Sequence, residues 1–270
     1  MNALRYALLN PSGNRTALVL DPVPAAGRNQ VTAALMDRCE QVGYLMPPAV
    51  PGVLGRLQMM GGEFCGNASM AAAAFLLRNE LKVSETRDVL LEVSGAEKPV
   101  FCRICREKDG WLGTVEMPLI QEILEVSVDG EALTAVRLPG ILHLIDLRSG
   151  RTRAASEALL RKAAEIFPDL ALGLLQWREA EGKMIPLVFV RESGTLVWES
   201  ACGSGSTALA GWIALQNGRS AELRITQPGG VLRVRAELRE GQLHRLLLTG
   251  RVVLEETGVL SGPKAAGAGK

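Results

Sequence analysis

Apolar and polar positions alternate over short runs along most of the chain, and two long apolar runs interrupt the alternation. Residues 4–9, 16–20, 56–60, 89–93, 99–106 and 111–117 read as strands in the first half, with a further strand near Tyr44. In the second half, 133–138, 141–147, 186–190, 194–199, 223–226, 230–238 and 243–254 read the same way. Turn residues separate them: Asn10-Pro11-Ser12-Gly13-Asn14, Ser94-Gly95, Asp109-Gly110, Gln227-Pro228-Gly229-Gly230 and Glu240-Gly241. Residues 118–129 are expected to cross between the halves. Amphipathic helices are predicted over 30–38, capped by Asn29, and over 157–167, capped by Ser156 and stopped by Pro168.

The two exceptions follow cysteines. After Cys65 come Met70, four alanines, Phe75, Leu76 and Leu77. Residues 204–216 mix Ala208, Ala210, Gly211 and Ala214 with Leu209, Trp212 and Ile213. Helices apolar nearly all round are buried on all sides, and small side chains let the strands of a curled sheet come close. One device therefore occurs twice, an apolar strand, then Cys-Gly, then a buried helix. The repeat predicts two domains, residues 1–117 carrying Cys65 and residues 118–260 carrying Cys202, with the last strand free to return to the first domain. The tail 261–270, rich in Gly, Ala and Lys without apolar periodicity, is expected to be disordered.

Composition narrows the function. A chain of 270 residues with 47% hydrophobic content can bury a large core, as one domain or as two of about 130 residues. Lys plus Arg number 30 against 29 Asp plus Glu, with no long run of either sign, so nucleic acid and anionic membrane are not expected partners. Five cysteines, Cys39, Cys65, Cys102, Cys105 and Cys202, in a chain too long to need staples fit a reducing, cytoplasmic compartment. The first apolar run breaks at Asn10, too early for a signal peptide, and no run approaches the ~20 residues of a membrane span.

A cysteine where a strand turns into a helix faces unpaired N–H groups and the positive end of the helix dipole, so it is expected to ionise more easily than a free thiol. Gly66 and Gly203 leave the approach to those N–H groups open. Two opposed thiols suit removal of a proton from one face of a stereocentre and its return to the other. Competing readings are weaker. Gly203-x-Gly205-x-x-Ala208 fits a nicotinamide-dinucleotide fingerprint, but Glu222 falls at the near end of the next strand rather than the far end. Cys102-x-x-Cys105 lies within a strand and has no second pair, so no metal site is expected. His143 and His244 sit in apolar runs and read as packed or edge-strand residues, Cys39 as packing, and Glu40, taken alone, as a solvated charge. Asn14 reads equally as a ligand contact or as part of a plain turn.

Cys65-Gly66-Asn67 and Ala201-Cys202-Gly203-Ser204-Gly205 resemble the two cysteine motifs of the diaminopimelate epimerase-like superfamily of cofactor-independent racemases and epimerases. The resemblance covers nearly the whole chain. It implies an α/β (α+β) fold of two pseudo-symmetric domains, each a curled, mostly antiparallel sheet around a central helix, with the active site between them. The chain departs from diaminopimelate epimerase itself: Gly13-Asn14 is followed by Arg15-Thr16, and Trp198-Glu199-Ser200-Ala201 stands where that enzyme has Glu-Arg-Gly. Asn10-Pro11-Ser12-Gly13-Asn14, Cys39-Glu40-Gln41-Val42-Gly43, Glu63-Phe64-Cys65, Trp198-Glu199 and Gln227-Pro228-Gly229-Gly230 are similar to the histidine racemases of staphylopine-type opine metallophore pathways.

The resemblance implies a cofactor-free, metal-free amino acid racemase with Cys65 and Cys202 as acid/base groups, histidine as substrate, and diaminopimelate epimerase or another racemase of this fold as the alternative. Asn14, Gly66, Asn67, Gly203, Ser204 and Gly205 are expected to hold the α-amino and carboxylate groups. Glu40 and Glu199 become candidate readers of the imidazole, whose ring N–H a carboxylate accepts. The expected partners are a small amino acid and, at most, a second copy of the chain. From another class, a nicotinamide- or metal-binding protein with incidental cysteines is the rival.

Overall fold

The computed structural model describes residues 3–260; the expected disorder of 261–270 lies outside the described residues. The strands are β1 Leu4–Pro11, β2 Thr16–Val19, β3 Gln41–Met46, β4 Arg56–Met59, β5 Thr86–Val93, β6 Val100–Glu107, β7 Gly110–Met117, β8 Glu122–Val128, β9 Glu131–Leu138, β10 Ile141–Asp146, β11 Ala171–Arg178, β12 Lys183–Val190, β13 Thr195–Trp198, β14 Ala221–Gln227, β15 Gly230–Arg239 and β16 Gln242–Leu260. The helices are α1 Ala25–Leu35, α2 Gly66–Leu76, α3 Arg153–Ile166 and α4 Gly203–Gln216. The class is mixed α and β, with the strands in one large, mostly antiparallel sheet.

One strand organises that sheet. The start of β16 pairs with β15, its middle with β7, and its end with β1. Because β1 also leads through β2–β7 back to β16, eight strands close on themselves. From the same strand, β15, β14, β12, β11, β10, β9 and β8 follow as a second curl that ends on the β8 edge.

Each curl surrounds one of the two apolar helices. Every residue of α2 from Gly66 to Phe75 is buried. In α4, Ala208, Leu209, Ala210, Gly211 and Ala214 are buried, and alanines of both helices share one continuous core. Amphipathic α3 instead packs outside, placing Leu159, Leu160 and Ala163 on a separate cluster. Among the described residues no helix is long and apolar enough to cross a membrane.

Four local expectations are corrected. Helix α1 starts after Pro24, not at Asn29: Pro24 is the N-cap in extended geometry, and Gly27 N–H closes the first turn on its carbonyl. Helix α3 is capped by Thr152, whose side chain accepts from Ala155 N–H at 3.2 Å, while Ser156 lies inside the helix and donates to the Thr152 carbonyl. Residues 118–129 contain strand β8, an edge strand whose Glu122 and Glu125 obscure its alternation. Strand β11 was not expected, because it is buried on both faces and lies parallel to β10, which removes the period-two signal.

Candidate active site

The two cysteines occupy the same structural position. Cys65 and Cys202 are the N-caps of α2 and α4, both in extended backbone geometry. Cys65 Sγ accepts from Ala68 N–H at 3.4 Å, and Cys202 Sγ from Gly205 N–H at 3.3 Å. Four residues on, Ser69 and Ser206 each donate a hydroxyl to the capping residue's carbonyl at 2.7 Å. The caps also meet. A β-carbon on Gly66 would lie 3.0 Å from Leu248 Cδ2 and one on Gly203 2.9 Å from the same atom, so one leucine is seated between the two helix starts. At Gly205 a β-carbon would come within 2.6 Å of Leu175 Cδ2 and 3.2 Å of Cys202 Sγ, so the start of α4 is packed tightly against β11.

Two asparagines tie the halves together at this point. Asn14 and Asn67, both buried, donate their Nδ2 to the Ala201 carbonyl, each at 3.2 Å. Their Oδ1 atoms are buried without a hydrogen-bond partner. A buried amide oxygen left unpaired is costly, and two of them lie on the asparagines that meet at Ala201, next to Cys202.

A further ring of polar groups surrounds the sulfurs. Cys65 donates its thiol to Gln41 Oε1 at 3.1 Å, and Gln41 Nε2 donates to Thr16 Oγ1 at 2.7 Å. Gln227 Oε1 accepts from Cys202 N–H at 2.7 Å, and its Nε2 donates to Ser206. Ser204 Oγ lies 3.5 Å from Cys202 Sγ and 3.0 Å from His143 Nε2. His143 is fully buried, with Nδ1 unpartnered, and burial pushes its pKa down to about 3, so it is a neutral imidazole.

The expected easy ionisation of the thiols is corrected. Burial pushes Cys65 up to about 12, and the Glu63 and Glu199 carboxylates add to the rise. Cys202 is pushed well above its ordinary value by burial and by the adjacent Glu199. The N–H groups of Ala68 and Gly205 pull the other way, but one donated hydrogen bond does not compensate for removing a thiolate from water. Glu199 is itself raised to about 7, first by burial and further by Glu40.

The structure thus brings Asn14, Gly66, Asn67, Glu199, Gly203, Ser204 and Gly205 to the two cysteines, with Glu40 facing Glu199. Sequence reasoning missed Thr16, Gln41, Gln227 and the contact of His143 with Ser204. Gln41 and Gln227 stand inside quoted motifs, but only the fold shows that they reach the caps. Cys39 donates to the Leu35 carbonyl, and Cys102 is buried in β6. Glu222 lies in the first residues of β14, which runs antiparallel to β15, unlike a dinucleotide fold.

The geometry agrees with what the chain is similar to. A histidine racemase of Fusobacterium nucleatum is 30% identical over 243 residues, covering 86% of this chain and 88% of its own. A histidine racemase of Staphylococcus aureus is 27% identical over 268 residues, covering 94% and 96%. The solved structure of a predicted epimerase from Pseudomonas aeruginosa, 18% identical, superimposes with a TM-score of 0.71 over 95% of this chain and 99% of that one, which shows a shared fold. Residues 3–260 match the family described as the histidine racemase CntK N-terminal domain, and the chain therefore belongs to that racemase family and is an isomerase.

Proposed function

We propose that the protein interconverts L- and D-histidine without a cofactor, with Cys65 and Cys202 working as a thiolate–thiol pair from opposite faces of the α-carbon. The observation that carries this reading is the duplicated N-cap, a half-buried and a buried cysteine on two buried helices that are joined by the Asn67–Ala201 hydrogen bond. One sulfur removes the α-proton and the other returns one to the opposite face. The helix N-termini receive the carboxylate and offset the charge that builds as the carbanion forms.

The unpaired Oδ1 atoms of Asn14 and Asn67 are suited to accept from the substrate ammonium. That ammonium also supplies what the empty site lacks. A cation beside buried sulfurs favours the thiolate, so ionisation is coupled to substrate binding.

Glu40 and Glu199 read the side chain. A neutral imidazole offers one N–H and one bare nitrogen; Glu40 as carboxylate accepts the first, and Glu199, held near 7, donates a carboxyl proton to the second. The motifs that resemble those of opine metallophore racemases support use of the D-histidine product in a metal chelator, and two reduced thiols support a cytoplasmic setting.

The test is incubation of reduced protein with L-histidine in D2O, following chirality by chromatography and α-deuterium by mass. Deuterated D-histidine, with little early label in the remaining L-form, is expected. Label entering the L-form as fast as the D-form would sink the two-base mechanism, and exchange of another amino acid but not histidine would sink the substrate.

A further inference from the structure

An acid/base cysteine in a racemase must be comfortable both as thiol and as thiolate, because its state alternates with each turnover. A hydrogen-bond partner fixed as acceptor suits only the thiol, and one fixed as donor only the thiolate. The surroundings of Cys65 contain a partner that is neither. Gln41 opens β3 and Thr16 opens β2, and the two residues pair directly in the parallel register of these strands. Both are buried. The Gln41 amide lies between Cys65 Sγ at 3.1 Å and Thr16 Oγ1 at 2.7 Å, and the Thr16 hydroxyl donates onward to the Asn14 carbonyl at 3.2 Å.

We propose that Gln41 is a positioning residue for Cys65, whose side-chain amide turns over as the sulfur loses and regains its proton. In the thiol state Oε1 accepts from S–H, and Nε2 donates to Thr16. In the thiolate state Nε2 donates to the sulfur, Oε1 takes its place beside Thr16, and the Thr16 hydroxyl redirects its proton from Asn14 to Oε1. The Gln41 amide oxygen and nitrogen each keep a partner in both states, and the one bond given up in the thiolate state is the 3.2 Å contact of the Thr16 hydroxyl with the Asn14 carbonyl. No proton passes through Gln41; it moves only between Cys65 Sγ and the substrate α-carbon.

The other groups facing this sulfur are the Ala68 N–H, which only donates, and the carboxylates of Glu63 and Glu199, which favour the thiol. Gln41 is therefore the one reversible partner among them. Cys202 has a rotor of its own in the Ser204 hydroxyl.

The inference rests on the acid/base reading of Cys65, and its test separates the two. In full-length protein carrying Cys202→Ser, the rate of Cys65 alkylation by iodoacetamide is followed from neutral to alkaline pH, with the modified residue identified by peptide mass. Gln41→Met removes the donor available to the thiolate, so the apparent pKa of Cys65 rises and alkylation at a given pH slows about tenfold. A carbonyl fixed on the thiol predicts the reverse, because its removal relieves the thiolate, and an unchanged or faster alkylation overturns the proposal.

In the otherwise native protein, Thr16→Val, which neither accepts nor donates, is expected to lower kcat about tenfold in both directions with little change in KM. Thr16→Ser recovers most of that loss. Full turnover in Thr16→Val also overturns the proposal. The alkylation readout needs no racemisation, so it stands even if Cys65→Ser shows that Cys65 is not an acid/base group.

Discussion

The side-chain amide of Asn67 donates to the carbonyl of Ala201 at 3.2 Å, and so the first turn of α2 holds the residue that precedes Cys202. This bond crosses from one cysteine unit to the other, and it leaves Asn67 Oδ1 without a partner of its own. Asn67→Ala removes both functions. A misplacement of about an ångström in an active site costs on the order of 100-fold, so kcat/KM is expected to fall by that order. Stability should fall by only about 1 kcal/mol, the value of one hydrogen bond. Chiral assay and denaturant unfolding together check that the loss is mainly in catalysis.

Cys65→Ser and Cys202→Ser keep the size of the cap and its acceptance of the Ala68 or Gly205 N–H. Serine is far less acidic, so racemisation should fall about 100- to 10,000-fold in either variant, the usual contribution of a general acid or base. Circular dichroism should stay native. If one variant keeps full activity, the symmetric roles of the two caps are wrong.

Much of this arrangement was legible because it depends on local chemistry. A cysteine between an apolar strand and an alanine-rich run reads as a helix cap, and the repeat of that unit announces two of them. What was not legible is what depends on burial and on distant partners. The thiols were expected to ionise easily, because the helix N-terminus is visible in sequence whereas the loss of water around Cys65 and Cys202 is not. Gln41 and Gln227 follow the same logic: their amides reach caps 24 and 25 residues away along the chain. Strand β11 was missed because burial on both faces erases alternation.

Glu199, raised to about 7, should shape the pH dependence of turnover. Neutral imidazole with protonated Glu199 is the matched pair, and imidazolium with ionised Glu199 carries the same proton count. Above about 7 both partners lose their proton, so kcat/KM should decline on the alkaline side. Below the ring's own pKa, roughly 6.5, both are protonated and it should decline again. Glu199→Gln retains an N–H donor at every pH, so the alkaline decline should disappear while the acid one remains. An unchanged alkaline limb in that variant would place the inflection on another group.

His143 links the site to stability in acid. Its pKa is near 3 when folded and 6.5 as an ordinary imidazole, so between these values the unfolded chain binds the extra proton. Stability contributed by keeping this ring neutral is therefore present above about 6.5 and declines as pH falls toward 3, by up to about 1.4 kcal/mol per pH unit. Urea unfolding of wild type and His143→Gln across that window should show the shallower slope in the variant. Carboxylates contribute equally to both proteins, so the difference reports His143.

Gly13 and Gly229 explain why two turns distant in sequence belong to one site. Gly13 has φ +106°, and a β-carbon on it would sit 2.4 Å from the Gly229 carbonyl carbon. A β-carbon on Gly229 would be 2.8 Å from Gly13 Cα and 2.8 Å from Ser200 Cβ, while Gly229 N–H donates to the Ser200 carbonyl. The two backbones are in contact, with no flexible side chain between them to yield. That contact sets Asn14, next to Gly13, against Ala201, and sets Gln227 against Cys202 N–H. Gly229→Ala should therefore open the turns, with about 1–3 kcal/mol lost in unfolding experiments and kcat/KM reduced at least tenfold. Gly218→Ala is the control. Gly218, like Gly13 and unlike Gly229, has positive φ, +61°, but its β-carbon would meet open space far from the caps, so that variant should show backbone strain alone and unaltered kinetics. Equal activity in the two variants would mean that the contact between the turns does not position Asn14 and Gln227.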